Sequence, residues 1–375
     1  MIKYPLTTFF KNAKAVNRSF FLSLAASLIL SPIHTAYCKA SSAEKEKNVA
    51  FSFSDILDFY EFSTEEKKEA LENLLAQANI SNENSSFIKE GFSQKKTKQA
   101  ILSDIIRFVQ ETQKKFTIRN FKPTYKKQER WEITAPCWME KNKSKNINRL
   151  KVLGFVAEIY PKNTKPDAIC ILGSTKNSML KRVNFVSSLF EKGVKTKKLI
   201  LLTGERYVTK NIDASEEELK ALAQKLGKKS YKDLKERDMM NQVYKASSFY
   251  NKIPTYHLET SKGNLHRATT KTTIKTLIAW LKKHKDVKSL LFISNQPSVK
   301  YQKEVIDSIF KENGYDVTYE VVGPSVQDPS NIMPLIGALG SFIWAKTPSI
   351  IKKLKLHPDR PQKTNLEKIF PGQIF

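Results

Sequence analysis

A chain of 375 residues, 40% hydrophobic and 27% charged, is long enough to bury one large core or two modest ones. Aromatic residues at 10% exclude disorder along the whole length. The formal charge of +27 would suit a nucleic-acid or anionic-membrane partner, but Lys far outnumbers Arg and the basic residues are scattered. No Arg-rich block with interleaved aromatics and no zinc-finger spacing occurs, which argues against nucleic acid.

Lys3, Lys11, Lys14 and Arg18 precede an apolar run over residues 20–30, which Pro32 breaks. Small residues follow around 36–42. That layout is a secretory signal peptide, so residues 1–42 are read as a signal peptide or a retained N-terminal anchor. The run falls short of the roughly 20 residues that a bilayer span needs. An anchor competes because no clean Ala-x-Ala site is present, and Tyr37 before Cys38 speaks against a lipoprotein. The expectation is export, either to the periplasm or as an inner-membrane anchor facing it, with membrane association through the N-terminus. Of the cysteines, Cys137 and Cys170 then remain. Cys170 reads as a small core residue, and an oxidising compartment allows a disulfide between the two without requiring it. With His 5 in total and scattered, no metal site is assigned.

Residues 43–160 read as helical. A short helix is expected over 51–60, capped by Ser52 or Ser54, and a second opens at Ser63-Thr64-Glu65-Glu66 with Leu71, Leu74, Leu75 and Ala78 on one side. A third, over about 95–115, carries a broad apolar stripe from Ile101 to Val109. Trp131 and Trp138 sit in a less regular passage and read as plugs at the junction of two halves, or as an aromatic lid. A further helix is expected over 145–157.

From Asp167 the periodicity changes, and residues 161–350 form the α/β part. Strands are expected over 168–172, 198–203, 255–258, 289–294 and 317–322, all rich in Ile, Leu and Val without clean alternation, as in a parallel sheet covered on both faces. Helices are expected over 178–192, 216–226, 231–250, 269–284 and 298–313, with Gly193 and Gly314 as C-terminal caps. The alternation predicts a Rossmann-like, doubly wound, mainly parallel α/β fold preceded by a smaller helical region. An almost wholly apolar helix over 332–344 is too short to span a membrane and reads as core packing. The basic tail, 351–375, reads as mostly irregular.

In such a sheet, ligands bind at the carboxyl ends of the strands where strand order reverses. The turns there are small and polar: Gly173-Ser174-Thr175, Thr203-Gly204-Glu205-Arg206, Glu259-Thr260 and Ser294-Asn295-Gln296. Gly173, Ser174 and Thr175 open a helix whose amides and hydroxyls could hold a phosphate or carboxylate, or could simply cap it. Neither P-loop nor dinucleotide-binding spacing is present. Arg182 lies further along that helix. Arg206 beside Gly204 is placed to meet negative charge. Glu205 or Glu259 would be the general base. The amides of Asn295 and Gln296 could both donate and accept. Glu236, Arg237 and Asp238 read as a charged first helical turn.

These segments together resemble the YdcF-like family of bacteria, which includes the SanA and ElyC envelope proteins. The likeness runs from Asp167 to about Pro324. It rests on Leu172-Gly173 followed by Arg182, on Leu202-Thr203-Gly204, on Glu236-Arg237-Asp238, on Glu259 with Thr269-Thr270, on Ser294, and on Gly314 to Val317. The chain departs from the family where Ser174 stands for a second glycine and where Arg267-Ala268-Thr269-Thr270 replaces an Asn-Thr-x-Glu-Asn stretch. It departs again where Pro297, Ser298, Lys300 and Tyr301 stand in place of a His and an Arg. The resemblance implies a Rossmann-like fold, export or membrane anchoring, and a role in envelope integrity. It names no cofactor. Two functions follow as expectations: an exported envelope protein binding a small anionic or nucleotide-like ligand in a strand-end crevice, and a non-catalytic envelope or host-facing interaction protein with a degenerate site.

Overall fold

A computed structural model describes residues 53–80, 98–116, 135–265, 268–356, 358 and 360–369. The expected signal segment, Cys38, Ser52, Trp131, His266 and Arg267 lie outside the described residues. All described residues belong to one compact unit, Asn48–Phe375.

The α/β part forms around five apolar runs. They are β1 (Ala168–Leu172), β2 (Lys198–Gly204), β3 (Thr255–Thr260), β4 (Ser289–Ile293) and β5 (Thr318–Val322). All pair in parallel, in the order β3-β2-β1-β4-β5. All five residues of β1 are buried. Ile169 and Ile171 pack on one face against α6 (Lys176–Glu191), α7 (Glu216–Lys225) and α8 (Glu236–Lys245). Ala168, Cys170 and Leu172 pack on the other against α9 (Thr270–Leu281) and α10 (Val299–Glu312). Two covered faces explain why the strands lack polar alternation. The chain runs outward from β1 to β3 and then returns to the far side of β1, so strand order reverses between β1 and β4. Gly193 (φ 89°) and Gly314 (φ 57°) take the left-handed conformation just past α6 and α10, as expected of C-terminal caps.

The remaining helices share a second core. They are α1 (Phe53–Phe59), α2 (Glu65–Gln77), α3 (Lys98–Phe116), α4 (Cys137–Lys141) and α5 (Lys143–Val152), joined by α11 (Ile332–Lys353) and α12 (Arg360–Ile369). Thr64 caps α2, its hydroxyl accepting from Lys67 N at 3.3 Å. Trp138 packs against this core beside the Phe116 ring, centroids 6.0 Å apart. Two expectations are corrected here. The apolar helix does not stop near Trp344 but runs through Pro348 to Lys353, because Ile350 and Ile351 are buried in the helical core. The basic tail is not mostly irregular: residues 360–369 form α12, which places Leu366 in the same core. No described helix is long and apolar enough to cross a membrane. Cys137 is exposed and Cys170 buried, and both are free thiols.

Candidate functional site

The turns after β1, β2 and β4 are joined by two arginines, Arg182 buried and Arg206 partly buried. Arg182 reaches back from α6 to donate to Leu172 O (2.6 Å) and Gly173 O (2.9 Å). Its Nε and Nη2 meet Asn295 Oδ1 at 2.9 and 2.6 Å. The side chain therefore fills the crevice between the ends of β1 and β4, the point of strand-order reversal, and is 3% exposed.

Arg206 spans the neighbouring gap. Nε donates to Glu236 Oε2 (2.9 Å), Nη1 and Nη2 to the two oxygens of Asp213 (2.8 and 3.0 Å), and Nη2 also to Ser174 O (2.8 Å). The remaining Nη1 proton is directed to Tyr207 O at 3.4 Å. Every donor of the guanidinium fork is thus engaged within the chain. Glu236 Oε1 accepts from Gly204 N at 3.0 Å. This contact explains the glycine at 173: a Cβ there would lie 2.0 Å from Glu236 Oε1 and 2.9 Å from Leu202 O. Gly204 is equally constrained, since a Cβ would stand 2.7 Å from that of Ala268.

The start of α6 is where an anion was expected. Thr175 makes no side-chain cap; its hydroxyl donates to Ser178 Oγ instead. The first helical amide, Lys176 N, donates to Asp213 Oδ1 at 3.1 Å, and Thr209 N donates to Oδ2 at 2.8 Å. A carboxylate of the chain itself stands at the helix N-terminus, where amides and dipole favour negative charge.

Burial and pairing set the charge states. Burial pulls the Arg182 guanidinium down to about 10, against the attraction of Glu236. For Arg206 burial acts the same way, but its Asp213 hydrogen bonds and the charges of Glu236 and Asp213 reverse the effect, so it holds its proton more tightly than usual. Burial works against the Asp213 carboxylate, yet Arg206 and the two amides bring it below the ordinary aspartate value. Glu236 is also buried, and there desolvation raises the carboxyl despite Arg206, Gly204 N and Arg182.

The other expected residues are not drawn into this network. Glu205 turns toward β3, accepting from Lys262 N, Ser261 Oγ and Lys235 Nζ, and these contacts lower its carboxyl, starting with the Lys262 amide. A carboxylate so stabilised is a weak base. Glu259 is on the edge strand β3, with Oε2 facing Arg237 at 3.4 Å and Oε1 buried without a partner. Gln296 points away from the strand ends, its amide donating to Ala157 O (2.9 Å) and Gly154 O (3.2 Å). Nearby, a groove of about 300 Å³ runs along α6, lined by Asn177, Lys181 and Asn184 and by Gln327 beyond β5. Arg182, Arg206, Asp213, Glu236 and Asn295 do not line it.

Asp213 and Glu236 are the residues that sequence reasoning missed. Glu236 was legible only as a charged helix start. The one hint for Asp213 is its place between Arg206 and the Ser215 cap of α7, within the same strand-to-helix connection. Compared with protein-family models, curated proteins and solved structures, the chain matches none of them.

Proposed function

We propose that this is an exported envelope protein whose strand-end anion site is filled by its own Asp213, so that the α/β part serves as a recognition scaffold and not as an enzyme. One observation carries the reading. Asp213 takes both the helix N-terminus and the Arg206 fork, the two features that would otherwise receive a ligand's negative charge. The YdcF-like resemblance supplies the envelope setting, and the apolar run before Pro32 supports export. A reporter fused after Ser42 should cross the inner membrane, and Leu24→Arg with Leu28→Arg should stop it, each central Arg costing roughly 2.5–3.5 kcal/mol on insertion scales. A second reading, an enzyme binding a small anionic or nucleotide-like ligand, is favoured by the groove along α6, which carries Lys181.

Thermal unfolding of the purified chain with phosphate, nucleotides and S-adenosylmethionine separates the two. A ligand at 100-fold over its dissociation constant adds about 2.7 kcal/mol. No shift is expected for the wild type. Asp213→Ala should be destabilised and then regain stability with millimolar acetate or phosphate, which replace the missing carboxylate; Asp213→Asn, closer in shape, serves if Asp213→Ala does not fold. Stabilisation of the wild type by a nucleotide would overturn the reading.

A further inference from the structure

The groove along α6 differs from the arginine network in one respect: its polar side chains are not spent on the chain. Two walls form it. One is the outer stripe of α6, where Asn177, Leu180, Lys181 and Asn184 recur at helical spacing while Met179, Val183, Val186 and Leu189 of the same helix are buried in the core. The other is the segment after β5. There Val326 packs against the helical core, and its neighbours Ser325 and Gln327 are exposed.

Backbone contacts fix this second wall. Ile159 and Gly323 exchange two hydrogen bonds of 3.0 and 3.2 Å, Gln296 N donates to Pro324 O at 3.1 Å, and Val326 N donates to Val156 O at 2.9 Å. Gly323 lies so close to the β4 turn that a Cβ there would stand 2.6 Å from Ser294 O. The groove is thus preformed. It lies where the chain leaves β1 and β5, on the carboxyl side of the sheet, where such folds bind ligands.

The lining says what it fits. Among the described residues, the carboxamides of Asn177, Asn184 and Gln327 have no hydrogen-bond partner in the chain. Each offers two N–H donors and an accepting oxygen. Lys181 and Glu158 are likewise unpaired there, and their opposite charges leave the lining without net charge. Leu180 is 41% exposed and adds an apolar patch. Phe185, the one ring in the lining, is 3% exposed, so it opens no face on which a base could stack. The groove holds about 300 Å³, at the small end of the roughly 300–1,000 Å³ found for small-molecule sites.

We propose that this groove binds a neutral saccharide. Adjacent hydroxyls of a sugar ring each donate and accept, as the carboxamides require, and the ring's C–H face suits the Leu180 patch. A sugar also brings no charge to a lining that has none to spare. A phosphate would meet one cation already offset by a carboxylate, and a nucleobase would meet no open ring. The inference deepens the recognition reading by naming its surface and ligand, and rests on that reading for the claim that the sugar is held and not transformed.

The test is saturation-transfer NMR and calorimetric titration of the full chain with glucose, N-acetylglucosamine and chitotriose. Glucuronate and free glutamine serve as anionic and zwitterionic probes. At least one neutral sugar should bind saturably, with both charged probes several-fold weaker. Asn184→Ala and Gln327→Ala should each weaken that sugar by up to about tenfold, the scale of one hydrogen bond. Both positions are exposed, so the unfolding midpoints of these variants should match the wild type. Gln224→Ala, which removes an exposed carboxamide of α7 outside the groove, should leave the affinity unchanged. The proposal is overturned if no neutral sugar saturates, if both groove variants bind as the wild type does, or if glucuronate or glutamine binds more tightly than the sugars. Those results leave the scaffold reading standing. It falls instead if a nucleotide stabilises the wild type or if a bound sugar emerges chemically changed.

Discussion

Two cations sit on either side of the sheet's point of reversal, and the chain treats them in opposite ways. Arg206, after β2, has an acceptor for every N–H, two of them the buried carboxylates Asp213 and Glu236. Lys300, after β4, has phenyl rings and, among the described residues, no carboxylate in direct contact. The saturated cation holds its proton more firmly and is unavailable to a ligand, whereas the unpaired one has a weaker hold on its proton. Charge at a strand end is thus a poor guide to function until its partners are known. Arg206 looks more like a binding residue in the sequence, yet in the fold every one of its donors is taken.

The contrast is broken most severely at Arg206. Arg206→Met removes the cation and leaves Asp213 and Glu236 buried without it, a situation that costs about 3–5 kcal/mol. Urea unfolding at neutral pH should show a loss of that order. The deficit should narrow on acidification. In the wild type Arg206 depresses Asp213, so that contribution is present above the ordinary aspartate value and disappears as pH falls through the lower folded value. A deficit that stays constant down to pH 3 would mean that Arg206 acts through packing alone.

Gly173→Ala presses on the same network without removing a charge. The added methyl collides with Glu236 Oε1 and with the backbone carbonyl of Leu202, which cannot swing aside. Overpacking of this kind costs about 1–3 kcal/mol, and the variant should lose stability within that range. An unchanged midpoint would show that Glu236 can leave Gly204 N at little cost, and that the network is looser than its distances imply.

How far these features are legible in the sequence depends on their range. Residues 168–172 can be read as a strand to the residue, because five apolar side chains covered on both faces leave a local signature. Gly193 and Gly314 announce their caps for the same reason: the left-handed turn is a property of one residue. Strand order is not legible, since nothing in a crossover tells whether the next strand goes outward from β2 or back past β1. The extension of α11 through Pro348 is not legible either, because burial of Ile350 and Ile351 outweighs a local rule. At the site, Arg182, Arg206 and Asn295 can be singled out as unusual, but their partners depend on the loop that returns Asp213 to the start of α6. Gly173 and Gly204 are conspicuous for a reason other than the expected one: they make room for Glu236 and Ala268.

The smallest expected effect concerns Lys300 and has the opposite sign. Its folded value lies below that of an unfolded lysine, so between the two the unfolded chain binds more protons and wild-type stability rises with pH. Below the folded value the full cost of the desolvated ammonium is present. Lys300→Met keeps an unbranched chain against Phe62, Phe155 and Phe342 and carries no charge. It should therefore be more stable than the wild type at neutral pH, by about 1 kcal/mol, the scale on which an apolar isostere relieves an uncompensated buried group. The advantage should close as pH approaches the ordinary lysine range, while the other lysines cancel in the difference. The opposing force is attraction between the ammonium and the ring faces, worth roughly 0.5–2 kcal/mol. Denaturation curves for the pair from neutral to alkaline pH decide between them. If Lys300→Met is the less stable protein at neutral pH, the rings hold the cation more strongly than burial expels it, and Lys300 is a clasp between α10 and the helical core.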